Sequence, residues 1–155
     1  MKTVFIILLL VVTAVLTGLF YLGKSSRSGS PAGLVDGKLA SCDDFTNCVC
    51  SEYKQALNYI QPISHLELTE TDISDIAQIV RSTGGSIHSQ TDDYLSAIYE
   101  SRLFGFVDDL EVRVDIQQKM IHFRSSSRVG KNDLGVNRQR VEQLKQLLSD
   151  QLDNN

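Results

Sequence analysis

The sequence predicts a two-layer α/β (α+β) domain, in which two helices cover one face of a four-stranded antiparallel meander, preceded by an N-terminal transmembrane helix. Three observations support this fold. Residues 3–23 carry no charge, and the segments 111–116 and 120–124 alternate apolar and polar side chains. Residues 69–83 and 136–152 instead place apolar side chains at helical spacing. The length of 155 residues predicts one domain with appendages.

The uncharged stretch at residues 3–23 predicts a membrane anchor that is not cleaved. It is long enough to cross a hydrocarbon core of about 30 Å as a helix. A cleaved signal peptide has a shorter apolar run, of roughly 7–15 residues, followed by a small-x-small site. The stretch ends instead in Leu19-Phe20-Tyr21-Leu22-Gly23, which offers no such site. We therefore expect residues 1–23 to be a single-pass anchor, with Tyr21 at the membrane interface.

Two signals disagree about the side of the membrane on which the domain lies. The basic residues mildly favour a cytoplasmic domain, since one precedes the span and three follow it: Lys2, then Lys24, Arg27 and Lys38. The cysteines favour an oxidising compartment, because three of them cluster at positions 42, 48 and 50. Such a cluster in a small domain predicts one disulfide and one spare thiol.

Residues 24–38 predict a flexible linker between the anchor and the domain, because glycine, serine and proline dominate their composition. The folded domain then spans residues 39–152, which is enough chain to bury a modest core. Residues 153–155 form a short tail after the last predicted helix.

Two amphipathic helices are predicted in the domain, at residues 69–83 and 136–152. The first carries apolar side chains at i, i+3, i+4 and i+7, which are Ile73, Ile76, Ala77 and Val80. Thr69 or Thr71 can cap its start, and Gly84-Gly85 can end it. The second helix has an equivalent stripe formed by Val141, Leu144, Leu148 and Leu152.

Four strands are predicted between the helices, at residues 86–90, 94–102, 106–116 and 120–127. Alternation fixes the register of the last two strands. On one side Val112 faces Phe123 and Val114 faces Ile121. Polar residues pair on the other side: Arg113 with His122, Glu111 with Arg124, and Asp109 with Ser126. A slip of one residue would destroy both sets, so we expect a hairpin with one dry face and one wet, charged face.

The segment 124–140 is the main candidate for a functional site. It holds five cations, three serines, two glycines and two asparagines. A serine-rich turn and a helix N-terminus offer backbone N–H donors, and arginine adds paired donors, so a phosphate or carboxylate would be well held. The candidate ligand-binding residues are Arg124, Ser126, Arg128, Asn137, Arg138 and Arg140, with Asp109 and Glu111 from the neighbouring strand.

A structural interpretation of the same segment competes with the anion site. The arginines of its strand can pair with acids of the neighbouring strand: Arg124 and Arg128 with Glu111, Asp109 and Asp108. Arg138 and Arg140 lie in the first turns of the second helix, where cations oppose the helix dipole and need an acidic partner. Asp133 can cap that helix. A structural ion network and a ligand site therefore both remain open.

Other chemistries find little support in the sequence, and no cofactor is expected. Asp109 and Glu111 with His122 could hold a hard cation, but three arginines nearby argue against a metal. The three histidines lack the ligand spacing of a zinc site. His122 and Ser126 share a strand face about 13 Å apart, which is too far for a nucleophile and its base. The formal net charge of −4 argues against nucleic acid.

Three segments in the second half of the chain carry a family resemblance. They read Phe-Gly-Phe-Val-Asp-Asp-Leu-Glu at 104–111, Arg-Ser-Ser-Ser-Arg-Val-Gly at 124–130 and Asp-Leu-Gly-Val-Asn-Arg-Gln-Arg-Val-Glu at 133–142. These segments resemble the signature of domain-of-unknown-function family 1499 (DUF1499). Cys42 and Asn47-Cys48-Val49 resemble the opening of that family. The resemblance covers about residues 40–150, and no established activity comes with it.

The resemblance has implications for location and for the cysteines. Bacterial members of the family are often exported or membrane-tethered, which implies an inner-membrane protein with its domain on the periplasmic side. The family usually has serine where this chain has Cys50. The departure implies that Cys50 is the spare thiol and that Cys42 and Cys48 form the disulfide.

We expect a single-pass, membrane-tethered binding or assembly module that is not an enzyme. Its partner would be an anionic small molecule or an acidic protein. One alternative is an envelope enzyme in which Asp109, Glu111 and the arginines act on a phosphorylated or carboxylated substrate. A second alternative is a purely structural accessory domain. A deep pocket beside residues 124–140 would favour the first two hypotheses, and a solid lattice of ion pairs there would favour the third.

Overall fold

The computed structural model describes residues 1–43, 45–64 and 72–152. The elements within them are, in chain order, α1 (Lys2–Ser26), β1 (Leu34–Val35), β2 (Lys38–Leu39), β3 (Cys48–Cys50), β4 (Ile63–Ser64), α2 (Asp72–Ser82), β5 (Ser86–Gln90), β6 (Tyr94–Glu100), β7 (Val107–Asp115), β8 (Met120–Ser127) and α3 (Val136–Leu152). The predicted capping residues Thr69 and Thr71, the side chain of Leu152 and the tail at 153–155 lie outside the described residues.

The strands β3 to β8 form one antiparallel sheet with the order β3-β8-β7-β6-β5, and β4 also pairs with β8. The prediction of four strands is wrong in number. The strands β5 to β8 form the predicted meander, but two further strands extend the sheet beyond β8. Both additional strands, with three and two residues, are too short to show an alternating pattern, and therefore no strand was predicted there.

The hairpin of β7 and β8 has the predicted register. Val112 lies opposite Phe123, and on the other face Glu111 lies opposite Arg124. The remaining predicted pairs are also formed: Val114 with Ile121, Arg113 with His122, and Asp109 with Ser126. This register decides which side chains meet, because a slip of one residue would turn the carboxylates of β7 toward the apolar core.

The helices α2 and α3 cover one face of the sheet, as predicted. Their buried stripes, which include Ile76, Val80, Val141 and Leu144, pack with strand residues into one core. Phe123 of β8 is fully buried in the same cluster. Burying side chains of this size contributes about 1.5–3 kcal/mol each, so the core is the main source of stability for the domain.

The opposite face of the sheet is not wet, which corrects the prediction. Its side chains are charged as expected, but Glu111 has no exposed surface and Asp109 has only 5 %. The N-terminal part of the chain covers this face, where Leu39 packs with all three cysteines into a second buried cluster. Alternating polarity cannot distinguish a strand face that meets solvent from one that lies beneath another segment.

The segment 24–38, which was predicted to be a flexible linker, contains regular structure. The helix α1 continues to Ser26, and the strands β1 and β2 pair as a hairpin. The hairpin turns at Asp36 and Gly37, whose φ values of 51° and 75° are both positive, as a two-residue type I′ loop requires. Most of the supposed linker therefore belongs either to α1 or to the N-terminal cover of the sheet.

The last turns of α1 pack against the loop between β6 and β7. By length and composition α1 is a candidate membrane span, and its apolar window is not buried in the protein. The rings of Phe20 and Phe104 meet edge to face, with centroids 5.3 Å apart. The Val107 N–H donates to Ser26 Oγ at 3.0 Å. Gly23 allows the close approach, because a Cβ there would lie 1.8 Å from the Phe104 carbonyl oxygen.

We predict that Gly23→Ala destabilises the full chain in detergent micelles. The added methyl group overlaps the Phe104 carbonyl. Either α1 or the loop must therefore shift, at a cost of roughly 1–3 kcal/mol. Gly18→Ala is the matched control, since among the described residues nothing outside the adjacent backbone of α1 lies within 4 Å of its added Cβ. Thermal unfolding should show a lower Tm for the first variant alone. Equal melting of both variants would mean that α1 does not pack on this loop.

Candidate functional site

The structure separates the predicted site residues into two groups. Arg124, Ser126 and Arg128 lie on the covered face of the sheet, together with Asp109 and Glu111 of β7. The residues of α3 form the other group on the helix-covered side, where Asn137 and Arg140 are brought together and Arg138 points to solvent. The eight residues were expected to surround one anion, but the sheet lies between the two groups.

Glu111 is the most buried charge of the covered face. Its Oε2 accepts a hydrogen bond from Arg124 Nη1 at 2.7 Å. Its Oε1 accepts one from the Tyr94 hydroxyl at 2.8 Å and one from the Gly33 N–H at 2.7 Å. Burial, reinforced by this carboxylate, raises the pKa of Tyr94. Three donors therefore satisfy the Glu111 carboxyl group from within the protein.

Arg128 joins the covered face to the end of α1. Its Nε and Nη2 both donate to the Asp109 carboxylate, the shortest contact being 2.7 Å. Its Nη1 donates to the carbonyl oxygens of Ser26 and Arg27, at 3.2 and 3.4 Å. A cation at this position satisfies carbonyls that a helix leaves unpaired at its C-terminus. The side chain predicted as an anion ligand therefore caps α1.

Arg140 and Asn137 form a separate network on the other side of the sheet. Arg140 donates to Asp108 Oδ2 at 2.7 Å and to Asn137 Oδ1 at 2.6 Å, and its guanidinium lies 4.5 Å from the centre of the Tyr99 ring. Asn137 is fully buried, and its Oδ1 also accepts from Ser125 Oγ at 2.6 Å. This network ties α3 to the strands β7 and β8.

The N-terminus of α3 is already capped. Asp133 Oδ2 accepts the Asn137 N–H at 2.7 Å, and Oδ1 accepts the Gly135 N–H at 3.1 Å, as the predicted capping role requires. The Leu134 N–H donates to Asn132 Oδ1 at 2.8 Å. An external anion at this terminus would have to displace the Asp133 carboxylate, which is negatively charged itself.

Arg138 differs from the other arginines of the segment because it is exposed. Its Nη2 donates to the Tyr59 carbonyl oxygen at 3.0 Å. The sequence predicts an acidic partner for Arg138, but the described residues provide no carboxylate within ion-pair distance of it. The Tyr59 carbonyl oxygen takes that place. Arg138 lines an open groove of about 500 Å³ between the disulfide loop, residues 55–58 and the start of α3.

A second buried ion cluster on the covered face was not predicted. Glu52, whose side chain is 4 % exposed, accepts Arg113 Nε at 2.8 Å and lies 3.7 Å from His122 Nδ1. Ser51 Oγ is 3.2 Å from the same ring nitrogen. The hydroxyl of Ser51 also accepts the Phe123 N–H at 2.8 Å, so this serine is a buried structural bridge. No sequence signal marks Glu52, because its partners Arg113 and His122 are distant along the chain, the nearer one by 61 residues.

The cysteines lie beside this cluster. Cys42 and Cys48 are joined, with Cα atoms 5.6 Å apart, and Cys50 is the buried free thiol. Burial raises the pKa of Cys50 to about 11, so the unreactive thiol form dominates near neutral pH. Among the described residues, no group of three or more His, Cys, Asp and Glu side chains is placed to hold a metal ion.

Comparison with known proteins gives a family and no characterised relative. A family model described as "Protein of unknown function (DUF1499)" matches residues 38–148. The match begins at β2 and ends in the last turns of α3, so it includes the whole six-stranded sheet but not α1. No curated protein matches the chain.

We predict that Arg124→Ala strongly destabilises the protein. The substitution leaves Glu111 buried without its cation, which costs roughly 3–5 kcal/mol. Arg138→Ala is the matched control, because an exposed side chain of this kind contributes within about 0.5 kcal/mol. Chemical denaturation of both variants measures the difference. If Arg124→Ala unfolds at the same denaturant concentration as Arg138→Ala, the pair is not structural.

We also predict that the protein loses stability as the pH falls from about 7 to 5. Burial lowers the pKa of His122 below its usual 6.5, although the Glu52 carboxylate opposes the shift. The unfolded chain then binds a proton before the folded chain does, so acidification favours unfolding in this window. The slope is at most about 1.4 kcal/mol per pH unit for one proton.

Denaturation midpoints measured at several pH values test this expectation. The midpoint should fall toward pH 5 in the wild type and change far less in His122→Gln. A wild type that becomes more stable toward pH 5 would contradict a neutral, buried imidazole.

Proposed function

Since the chain belongs to the DUF1499 family, whose function is unknown, we propose its role from the geometry: a membrane-anchored, non-catalytic module that binds an acidic protein partner. One observation carries the proposal. Arg128 binds the Asp109 carboxylate and the last carbonyls of α1 at the same time. A domain held to its candidate anchor in this way presents one fixed side to the membrane and leaves the rest of its surface for a partner.

The pairing of the charged side chains supports a non-catalytic role. Asp109 and Glu111, the carboxylates that an envelope enzyme would use here, are buried and each binds an arginine. A general acid or base must come within hydrogen-bond distance of its substrate. Any substrate of these two groups would have to displace the N-terminal cover first.

The groove beside Arg138 supports the binding role. Among the residues that border it, Leu57 is fully exposed and Phe45 is about half exposed, so both can anchor a partner side chain. Arg138 provides the cation for a carboxylate of the partner. The ion pairs of Arg124, Arg128 and Arg140 favour the structural interpretation for those three side chains. We keep the anion-binding role for Arg138 alone, which has no ion pair among the described residues.

The disulfide supports a location on the oxidising side of the membrane. Disulfides persist in oxidising compartments and are rare in the reducing cytoplasm. We therefore propose a single-pass protein of the inner membrane, with α1 as anchor and the domain in the periplasm.

A photo-crosslinking residue in place of Leu57, in the full chain in its native cells, tests the binding role. We expect a crosslinked protein adduct that is lost when Arg138→Glu is added, since that change repels an acidic partner. A crosslinker at Gln118, in the exposed turn between β7 and β8, is the control. Equal adducts at both positions, or an adduct that Arg138→Glu leaves intact, would refute the proposed binding site.

A further inference from the structure

The loop between β6 and β7 lies beside the candidate anchor. We call residues 101–106 the anchor-side loop. Its Phe104 ring contacts Phe20 of α1, and Phe106 in turn contacts Phe104, with ring centroids 6.2 Å apart. The backbone of Phe104 approaches Gly23 so closely that no side chain fits between them. The position of this loop relative to α1 is therefore fixed by direct contacts on two successive turns of the helix.

These contacts determine how deep the loop lies if α1 spans a membrane. Lys24 is the first charged residue after the apolar stretch of α1, and Phe20 precedes it by four residues. Four residues of helix rise about 6 Å along the axis. The Phe104 ring therefore lies about one helical turn closer to the membrane centre than the first charge of the anchor. At that depth the surroundings are the boundary between lipid headgroups and acyl chains.

The composition of the anchor-side loop fits that boundary. Leu103 is 70 % exposed, although it is a large apolar side chain, and Arg102 next to it is exposed as well. Aromatic rings are enriched at membrane interfaces, and arginine can keep its charge at the headgroups while its aliphatic stem lies deeper. A single exposed leucine is common on soluble proteins. Leu103 is informative because it lies beside the candidate membrane span α1.

We propose that the anchor-side loop is a second membrane-contact element, in which Leu103 and Phe104 enter the lipid beside α1 and Arg102 binds lipid phosphate. The proposal rests on the membrane anchoring proposed above. Its partner is the phospholipid bilayer surface. The loop would then hold the domain against the membrane on one side, and the groove beside Arg138 would stay open to a partner protein.

Tryptophan fluorescence can test the depth of the loop, because the chain contains no tryptophan. Leu103→Trp in the full chain, reconstituted in phosphatidylglycerol and phosphatidylcholine vesicles, places the only indole at the loop tip. We expect blue-shifted emission, and quenching by lipids brominated near the top of their acyl chains that is several-fold stronger than quenching by aqueous iodide.

Ile116→Trp is the matched control. Ile116 is a half-exposed apolar residue that follows β7, whereas the anchor-side loop precedes β7. The length of that strand separates the two positions by about 30 Å. The indole of Ile116→Trp should emit at longer wavelength and be quenched by iodide.

A third variant, Leu10→Trp in the middle of α1, separates failure of this proposal from failure of the anchor. If deeply brominated lipids quench Leu10→Trp while Leu103→Trp behaves like Ile116→Trp, the loop does not enter the membrane and only the anchor stands. If brominated lipids do not quench Leu10→Trp either, the anchoring proposed above fails, and the loop proposal fails with it.

Discussion

Glu111 is a fully buried carboxylate, and the arrangement of the N-terminal half of the chain follows from the donors that it needs. An ionised carboxylate without partners costs several kcal/mol to bury. Its donors come from three separate places: Arg124 on β8, Tyr94 on β6 and the Gly33 N–H before β1. The last donor is available only when the N-terminal segment lies over the sheet. The charge and its cover therefore depend on each other, since removing either leaves unpaired polar groups.

The need of buried charges for partners applies along the whole of β7. Successive residues on its covered face, Asp109, Glu111 and Arg113, each bind a different part of the N-terminal chain. Asp109 reaches the end of α1 through Arg128, and Glu111 binds the residue before the first hairpin. Arg113 binds Glu52, which follows β3. Polar and charged contacts from one strand face thus position the end of α1, the first hairpin and the disulfide region. The opposite face of the same strand holds α2 and α3 by apolar packing.

The parts of this structure that the sequence predicts are those encoded by local patterns. The alternation around Val112 and Phe123 was sufficient for the register of β7 and β8, and helical spacing was sufficient for α3. The two short strands beside β8 and the Glu52 cluster depend on distant partners, so no local pattern marks them. Asp36-Gly37 is a strong hairpin signal, but its neighbours are rich in glycine and serine, and composition suggested a linker instead. The alternation of apolar and polar side chains also cannot show whether the polar face of a strand meets solvent or lies beneath another segment.

The density of cations in residues 124–140 has a physical explanation that requires no ligand. Three of the five cations pair with acids that are concentrated in the neighbouring strand: Arg140 with Asp108, Arg128 with Asp109, and Arg124 with Glu111. The segments 104–111, 124–130 and 133–142, which carry the family resemblance, are thus one another's partners. A signature made of mutual contacts describes how the domain holds its shape. The recognition proposed above therefore relies on a side chain outside these contacts, Arg138, which has no ion pair among the residues that the structure describes.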